Sequence, residues 1–112
     1  FLDKKIISII KKNKIEVHAR SIFLQGLLLK KKTNKKKFQK FLKHINNWHK
    51  VNNITHLESA INFLNNYKFI NKYVIGLQSL NQLKQIIKTK KKIIKNLPKF
   101  DSNFVKDPRK WT

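Results

Sequence analysis

The chain has 112 residues, 40% of them hydrophobic, which is enough for one modest domain with a core. It has no cysteine, so it carries neither a disulfide framework nor a thiolate zinc site, and reducing and oxidising compartments are equally open to it. No apolar run approaches the ~20 residues a membrane span needs, and FLDKKIISIIKK is too charged for a signal-peptide core; a soluble, cytoplasmic protein without a membrane partner is expected.

The formal charge of +22 points first to a phosphate-rich partner, because neutralised phosphates release counterions. The residue types point away again. Arg20 and Arg109 are the only arginines among 27 basic residues, whereas proteins that read bases or grip phosphates bidentately lean on the guanidinium fork. The lysines travel with Asn and Ile, whose codons are A/T-rich, so an AT-rich genome accounts for the charge and no nucleic-acid partner is expected.

In chain order, Leu2, Ile6, Ile9 and Ile10 recur at helical spacing, with Asp3 in the first turn, and predict an amphipathic helix ending near Asn13. Ile15 to Ala19 alternates apolar and polar residues and predicts a strand. Glu16 on that strand is expected to face a polar interior layer, and His18 to pack or face inward rather than to catalyse. The run KKKTNKKK, residues 30–37, reads as a solvated segment. Phe38, Phe41, Leu42, Ile45, Trp48 and Val51 then mark an amphipathic helix stopped by Asn52-Asn53.

Thr55 and Glu58 have capping-box spacing, and Leu57, Ala60, Ile61 and Leu64 supply the buried face of the next helix. Lys72 to Ile75 predicts the second strand, stopped at Gly76. Ser79 and Gln82 repeat the capping pattern, with Leu80, Leu83, Ile86 and Ile87 as the apolar side of a further helix. Residues 91–112 form a basic tail that either packs through Phe100, Phe104 and Trp111 or hangs free. His44, His49 and His56 fall on surface helices, without carboxylates arranged for a metal site. With five acids in the chain, no acid pair for general acid/base chemistry is visible.

Two strands joined by more than fifty residues containing helices should be parallel, linked by a right-handed crossover, which predicts part of an α/β fold. Parallel sheets are normally buried on both faces, and a sheet of two strands is not. The chain opens on Phe1 and contains no Met. The expectation is therefore a C-terminal piece of a longer chain, with most of the sheet upstream. Ligands of α/β folds bind beyond the carboxyl ends of the strands. The stretches from Arg20 to Gly26 and from Gly76 to Gln82 sit there, the first turn-forming, the second opening a helix whose N-terminus attracts phosphate.

These two stretches together resemble the aldo-keto reductases. HARSIFLQGLLL is similar to the family's strand-seven loop and YVIGLQSLNQLKQII to its strand-eight signature, while HLESAINFLNNYKFINKYVIG resembles the helix between them. The likeness spans roughly residues 1 to 88. It implies the C-terminal portion of a (β/α)₈ TIM barrel, residues 1–90, that binds NADP(H), with NAD not excluded, and reduces a small-molecule carbonyl substrate.

Carried over by position, Ser21, Phe23, Gln25 and Gly26 match the loop over the pyrophosphate. Gly76, Leu77, Gln78 and Ser79 match the segment facing the adenosine 2′-phosphate, Gln82 the glutamine near the adenine, and Gln85 the polar residue one turn on. Arg20 stands where many members carry the ring that stacks on the nicotinamide. No Arg or Lys occupies 76–79, which weakens the preference for NADP. The family's catalytic Asp, Tyr, Lys and His have no counterparts here, so the chain alone is expected to be inactive. The alternative is a lysine-rich helical module that binds nucleic acid or an acidic surface without sequence preference, resting on residues 30–37 and 88–92.

Overall fold

The computed structural model describes residues 3–99 and 102–111. Helix α1, Lys4–Lys12, starts at Asp3, whose carboxylate accepts the Lys5 amide at 2.9 Å. It ends in a left-handed cap: Lys14 has φ 51°, its amide donates to Lys11 O, and the Ile15 amide reaches back to Ile10 O at 3.0 Å. Strand β1, His18–Arg20, follows.

After a single 3₁₀ turn at Leu27–Leu29 comes α2, Lys36–Val51. Its end repeats the α1 cap, with Asn53 at φ 47° and the Ile54 amide on His49 O. Asparagine tolerates this backbone; lysine at position 14 adopts it under strain. Thr55 and Glu58 then form the complete capping box of α3, His56–Phe63: the hydroxyl accepts the Glu58 amide and the carboxylate accepts the Thr55 amide at 2.9 Å. A 3₁₀ turn at Leu64–Asn66 leads to β2, Lys72–Val74, and then to α4, Leu80–Lys88. The tail forms α5, Asn103–Lys106, and a last 3₁₀ turn at Pro108–Lys110.

The two strands pair in parallel, with His18 opposite Lys72, Ala19 opposite Tyr73 and Arg20 opposite Val74. The fold is thus mixed helix and sheet, with an open parallel sheet of two strands among the described residues. Pairing starts at residue 18 rather than at the expected 15, because the chain before it is held differently. The Asn71 carboxamide accepts the Val17 amide at 2.8 Å, and the amides of Asn71 and Lys72 both converge on Val17 O. Among the described residues no helix is long and apolar enough to cross a membrane.

The core is built on α2, with no strand residue among its buried members. Phe38, Phe41, Leu42 and Ile45 on α2 pack with Leu27 and Val105, and Leu24, Leu28, Phe104 and Trp111 close around them. Each such side chain contributes about 1.5–3 kcal/mol by leaving water. Phe38 is the hub, stacked on Phe104 at 5.4 Å and edge-on to Trp111 at 4.9 Å. Of the two alternatives for the tail, packing is the one observed for Phe104 and Trp111; Phe100 lies outside the described residues.

Polar clamps fasten the chain on either side of Ile94. Asn62, with no exposed surface, donates to Lys90 O at 3.0 Å and accepts from the Lys92 amide at 2.8 Å and from Asn65. Asn66 donates to Ile94 O, and the Trp48 indole to Asn96 O at 2.8 Å.

Two expectations about α2 are corrected here. Val51 is exposed, because the buried stripe runs 38, 41, 42, 45, 49 and leaves position 51 on the far side. The residue that takes the last place on the stripe is His49, buried rather than on the surface. Its ring lies 4.1 Å from that of His56, also part-buried. Trp48 is half-buried beside the stripe.

Candidate functional site

Strand pairing decides where the candidate residues lie. Since Arg20 is opposite Val74, the segment from Ser21 and the segment from Ile75 leave the sheet side by side at its carboxyl edge. The first segment is built of two successive turns. The Leu24 amide closes the first on Ser21 O at 2.9 Å, and the Leu27 amide closes the second on Leu24 O at 3.0 Å. In the second, Gln25 and Gly26 are the central residues, with φ 51° and 80°, as a type I′ turn requires.

Gly26 meets that requirement without cost, whereas Gln25, Leu24 at φ 45° and Ser21 at φ 57° carry left-handed backbone that L side chains resist. What holds them there is the leucine run: Leu27 is buried in the core and Leu24 and Leu28 pack against it. The loop is thus anchored at its base by apolar packing while Arg20, Ser21 and Gln25 stay exposed and Phe23 is half-buried.

In the second segment every residue from Gly76 to Gln82 is exposed. Ser79 caps α4, its hydroxyl oxygen accepting the Gln82 amide at 3.3 Å. The reciprocal bond expected of a capping box is displaced by one residue: the Gln82 carboxamide oxygen accepts the Gln78 amide at 2.9 Å, not that of Ser79. Gln85 lies on the exposed α4 surface one turn on, its carbonyl accepting from Thr89.

The donor set suits a phosphate held by backbone amides at a helix N-terminus, with the Ser79 hydroxyl hydrogen still able to donate. An anion that took the Gln78 amide would have to displace Gln82 from it. Arg20, at the end of β1, directly precedes the first turn in sequence.

Glu16 and His18 are exposed in this chain and are not enclosed by the described residues. The Glu16 carboxylate bonds His18 Nε2 at 2.8 Å and Lys72 Nζ at 2.6 Å, and all three side chains are exposed to about half or more. Lys72 first, and His18 second, draw the Glu16 carboxyl below its usual range. This is a surface clasp across the start of the two strands, at the end opposite the candidate loops. Its energetic weight is small, as for other solvated ion pairs.

Sequence reasoning treated the histidines one by one and missed the pair that packs. The Ser59 hydroxyl donates to His56 O at 3.0 Å, so it accepts from His49 Nε2 at 2.6 Å, and His49 carries its proton there. Asn46 donates its amide to Lys31 O at 2.7 Å, so its oxygen accepts from His56 Nε2 at 2.6 Å. Burial, and then His56, push His49 down to about 4; burial, and then Lys31, lower His56. The signal was present in the spacing, since position 49 follows 45 and 42 by four and seven on one helical stripe. Among the described residues no group of three His, Asp or Glu could hold a metal ion.

Comparison with family models, with curated proteins and with solved structures found no match to this chain.

Proposed function

We propose that this chain is the cofactor-binding end of an oxidoreductase of the aldo-keto reductase kind, the C-terminal part of a (β/α)₈ barrel. NADP(H) is its hydride carrier, NAD the alternative one, and a small carbonyl compound its substrate. The observation that carries the reading is the parallel register of β1 and β2, which brings the turn-forming loop after Arg20 and the helix-opening turn after Gly76 to one edge of the sheet. That edge is where α/β folds bind phosphorylated cofactors. Apolar surface agrees with it: Val74 on the sheet and Leu80 and Ile87 on α4 are exposed, as they would be where further strands and helices belong.

When bound, the nicotinamide supplies the hydride. This chain's own residues bind and orient. Backbone amides of the Ser21–Gly26 loop and of the start of α4 would meet phosphate oxygens, the Gln78 amide once Gln82 has left it. Arg20 at the strand end adds one delocalised cation that stacks on a ring or pairs with a phosphate. The groups that move the proton come from elsewhere in the reductase.

The reading is tested by titrating NADPH into the full gene product, following cofactor fluorescence, with and without Ser79→Asp. A carboxylate at the α4 N-terminus repels a phosphate there, and weakening of about tenfold is expected. Equal affinities for the two proteins would defeat the assignment.

A further inference from the structure

Along the flank of α2, beside the buried stripe and lined in part by Leu42 and His49, runs a concave surface that the reductase reading does not use. It is a groove of about 540 Å³ between the 31–34 segment and α2, continuous with a second of about 510 Å³ that reaches the start of α3. Lys31, Lys32 and Lys50 line both, and Lys43 lines the first. No carboxylate lines either one.

The walls are tied to one another. Asn46 holds the Lys31 carbonyl with its amide and the His56 ring with its oxygen, so the segment after the leucine run, α2 and α3 meet on one side chain. His49 and His56 form the floor at 4.1 Å, one hydrogen-bonded to Ser59 and the other to Asn46. Four lysines therefore border one concavity with no carboxylate in its lining, and their like charges add there; the nearest acid, Glu58, lies behind Thr55 and is held in the α3 cap.

We propose that this groove is a binding site for a small phosphate-class polyanion, of the size of pyrophosphate, held by Lys31, Lys32, Lys43 and Lys50. Its shape decides against an extended strand: stacking platforms are what single-stranded nucleic acid needs, and none of the lining residues is Phe, Tyr or Trp. In a chain this rich in lysine a basic groove could arise from composition alone. The test therefore compares variants of equal charge.

Pyrophosphate is titrated calorimetrically into the full chain, and into Lys31→Ala/Lys50→Ala and Lys4→Ala/Lys5→Ala, all exposed positions whose loss leaves the core intact. The groove variant should bind about tenfold more weakly, and the α1 variant within about twofold of the parent. Equal losses in both would mean that net charge alone is being read, and would overturn the site. Ser79→Asp, titrated in parallel, separates this proposal from the cofactor reading: if it alone abolishes binding, pyrophosphate sits at α4 and the groove is not its site.

Amide and ring NMR signals locate the anion independently. Shifts at Asn46 and His56 are expected, whereas shifts confined to Gly76–Ser79 would overturn the proposal. A last arm offers vesicles containing phosphatidylserine. Capture of the chain on them without any response to pyrophosphate would assign the groove to lipid headgroups instead.

Discussion

Helices α2 and α4 carry apolar stripes of the same kind and meet opposite fates. On α2 the residues Phe38, Phe41, Leu42 and Ile45 are all buried, because the 3₁₀ turn at Leu27–Leu29 and the tail helix close over them. On α4 no residue is buried, and Leu80 and Ile87 are 66% and 72% exposed. Helix α1 matches α4, with Ile6 and Ile9 both exposed. The molecule is therefore one closed half, of α2, α3 and the tail, and one open half, of α1, the two strands and α4. Amphipathic periodicity prepares a helix for burial; only a neighbour delivers it.

The difference predicts unequal responses to deletion of apolar surface. Phe38→Ala removes the hub of the closed half and should cost about 3–5 kcal/mol of unfolding free energy in urea, with release of the tail. Leu80→Ala should fall within about 0.5 kcal/mol of the parent, because little is transferred back to water. A cost at Leu80 as large as that at Phe38 would break the comparison, since the open face would then be covered in solution, by self-association if in no other way.

Acid should act on the closed half first. The folded chain keeps His49 neutral down to about 4, against an ordinary value of 6.5 when unfolded. Between those values the unfolded state holds the extra proton, so stability is complete above pH 6.5 and falls as the pH drops toward 4. The loss amounts to roughly 3 kcal/mol at the lower end. His56 is lowered as well and pulls the same way. Urea midpoints measured from pH 7.5 to 4.5 should show this slope, and His49→Gln, which keeps an amide near Ser59, should flatten it. A slope unchanged in that variant would place the acid sensitivity elsewhere.

The order of elements was legible because it rests on local chemistry. The Thr55 cap, the Asn52-Asn53 stop and the β-branched runs each act over a few residues, whereas Asp3, expected in the first turn of α1, is its N-cap. So was the parallel pairing, since a long helical connection permits little else. Burial was not, because it depends on what lies opposite: helical spacing of the same kind is buried on α2 and left bare on α4. The true start of β1 depended on Asn71, more than fifty residues away. At the candidate site, adjacency of the two loops followed from pairing, but the bond from the Gln78 amide to Gln82 did not, as it turns on how α4 begins. His49 was hidden by residue type: histidine reads as a surface residue until its place on the stripe is counted.

The smallest effects sharpen the same division. Thr55 and Ser79 both cap helices with a side-chain oxygen on the N3 amide, so the local chemistry removed by mutation to alanine is nearly the same, about 1 kcal/mol. Their consequences should differ. Helix α3 carries Ala60, Ile61 and the Asn62 clamp into the core, so Thr55→Ala should lower global stability by the full amount. Helix α4 buries nothing, so Ser79→Ala should fray its first turn while the global midpoint moves by a few tenths of a kcal/mol at most. Hydrogen exchange separates the two, with faster exchange confined to the first turns of α4 in one variant and spread through the closed half in the other. A global shift from Ser79→Ala as large as that from Thr55→Ala would mean that α4 unfolds with the core, and that the open half is coupled to the closed one through the leucine-anchored loop.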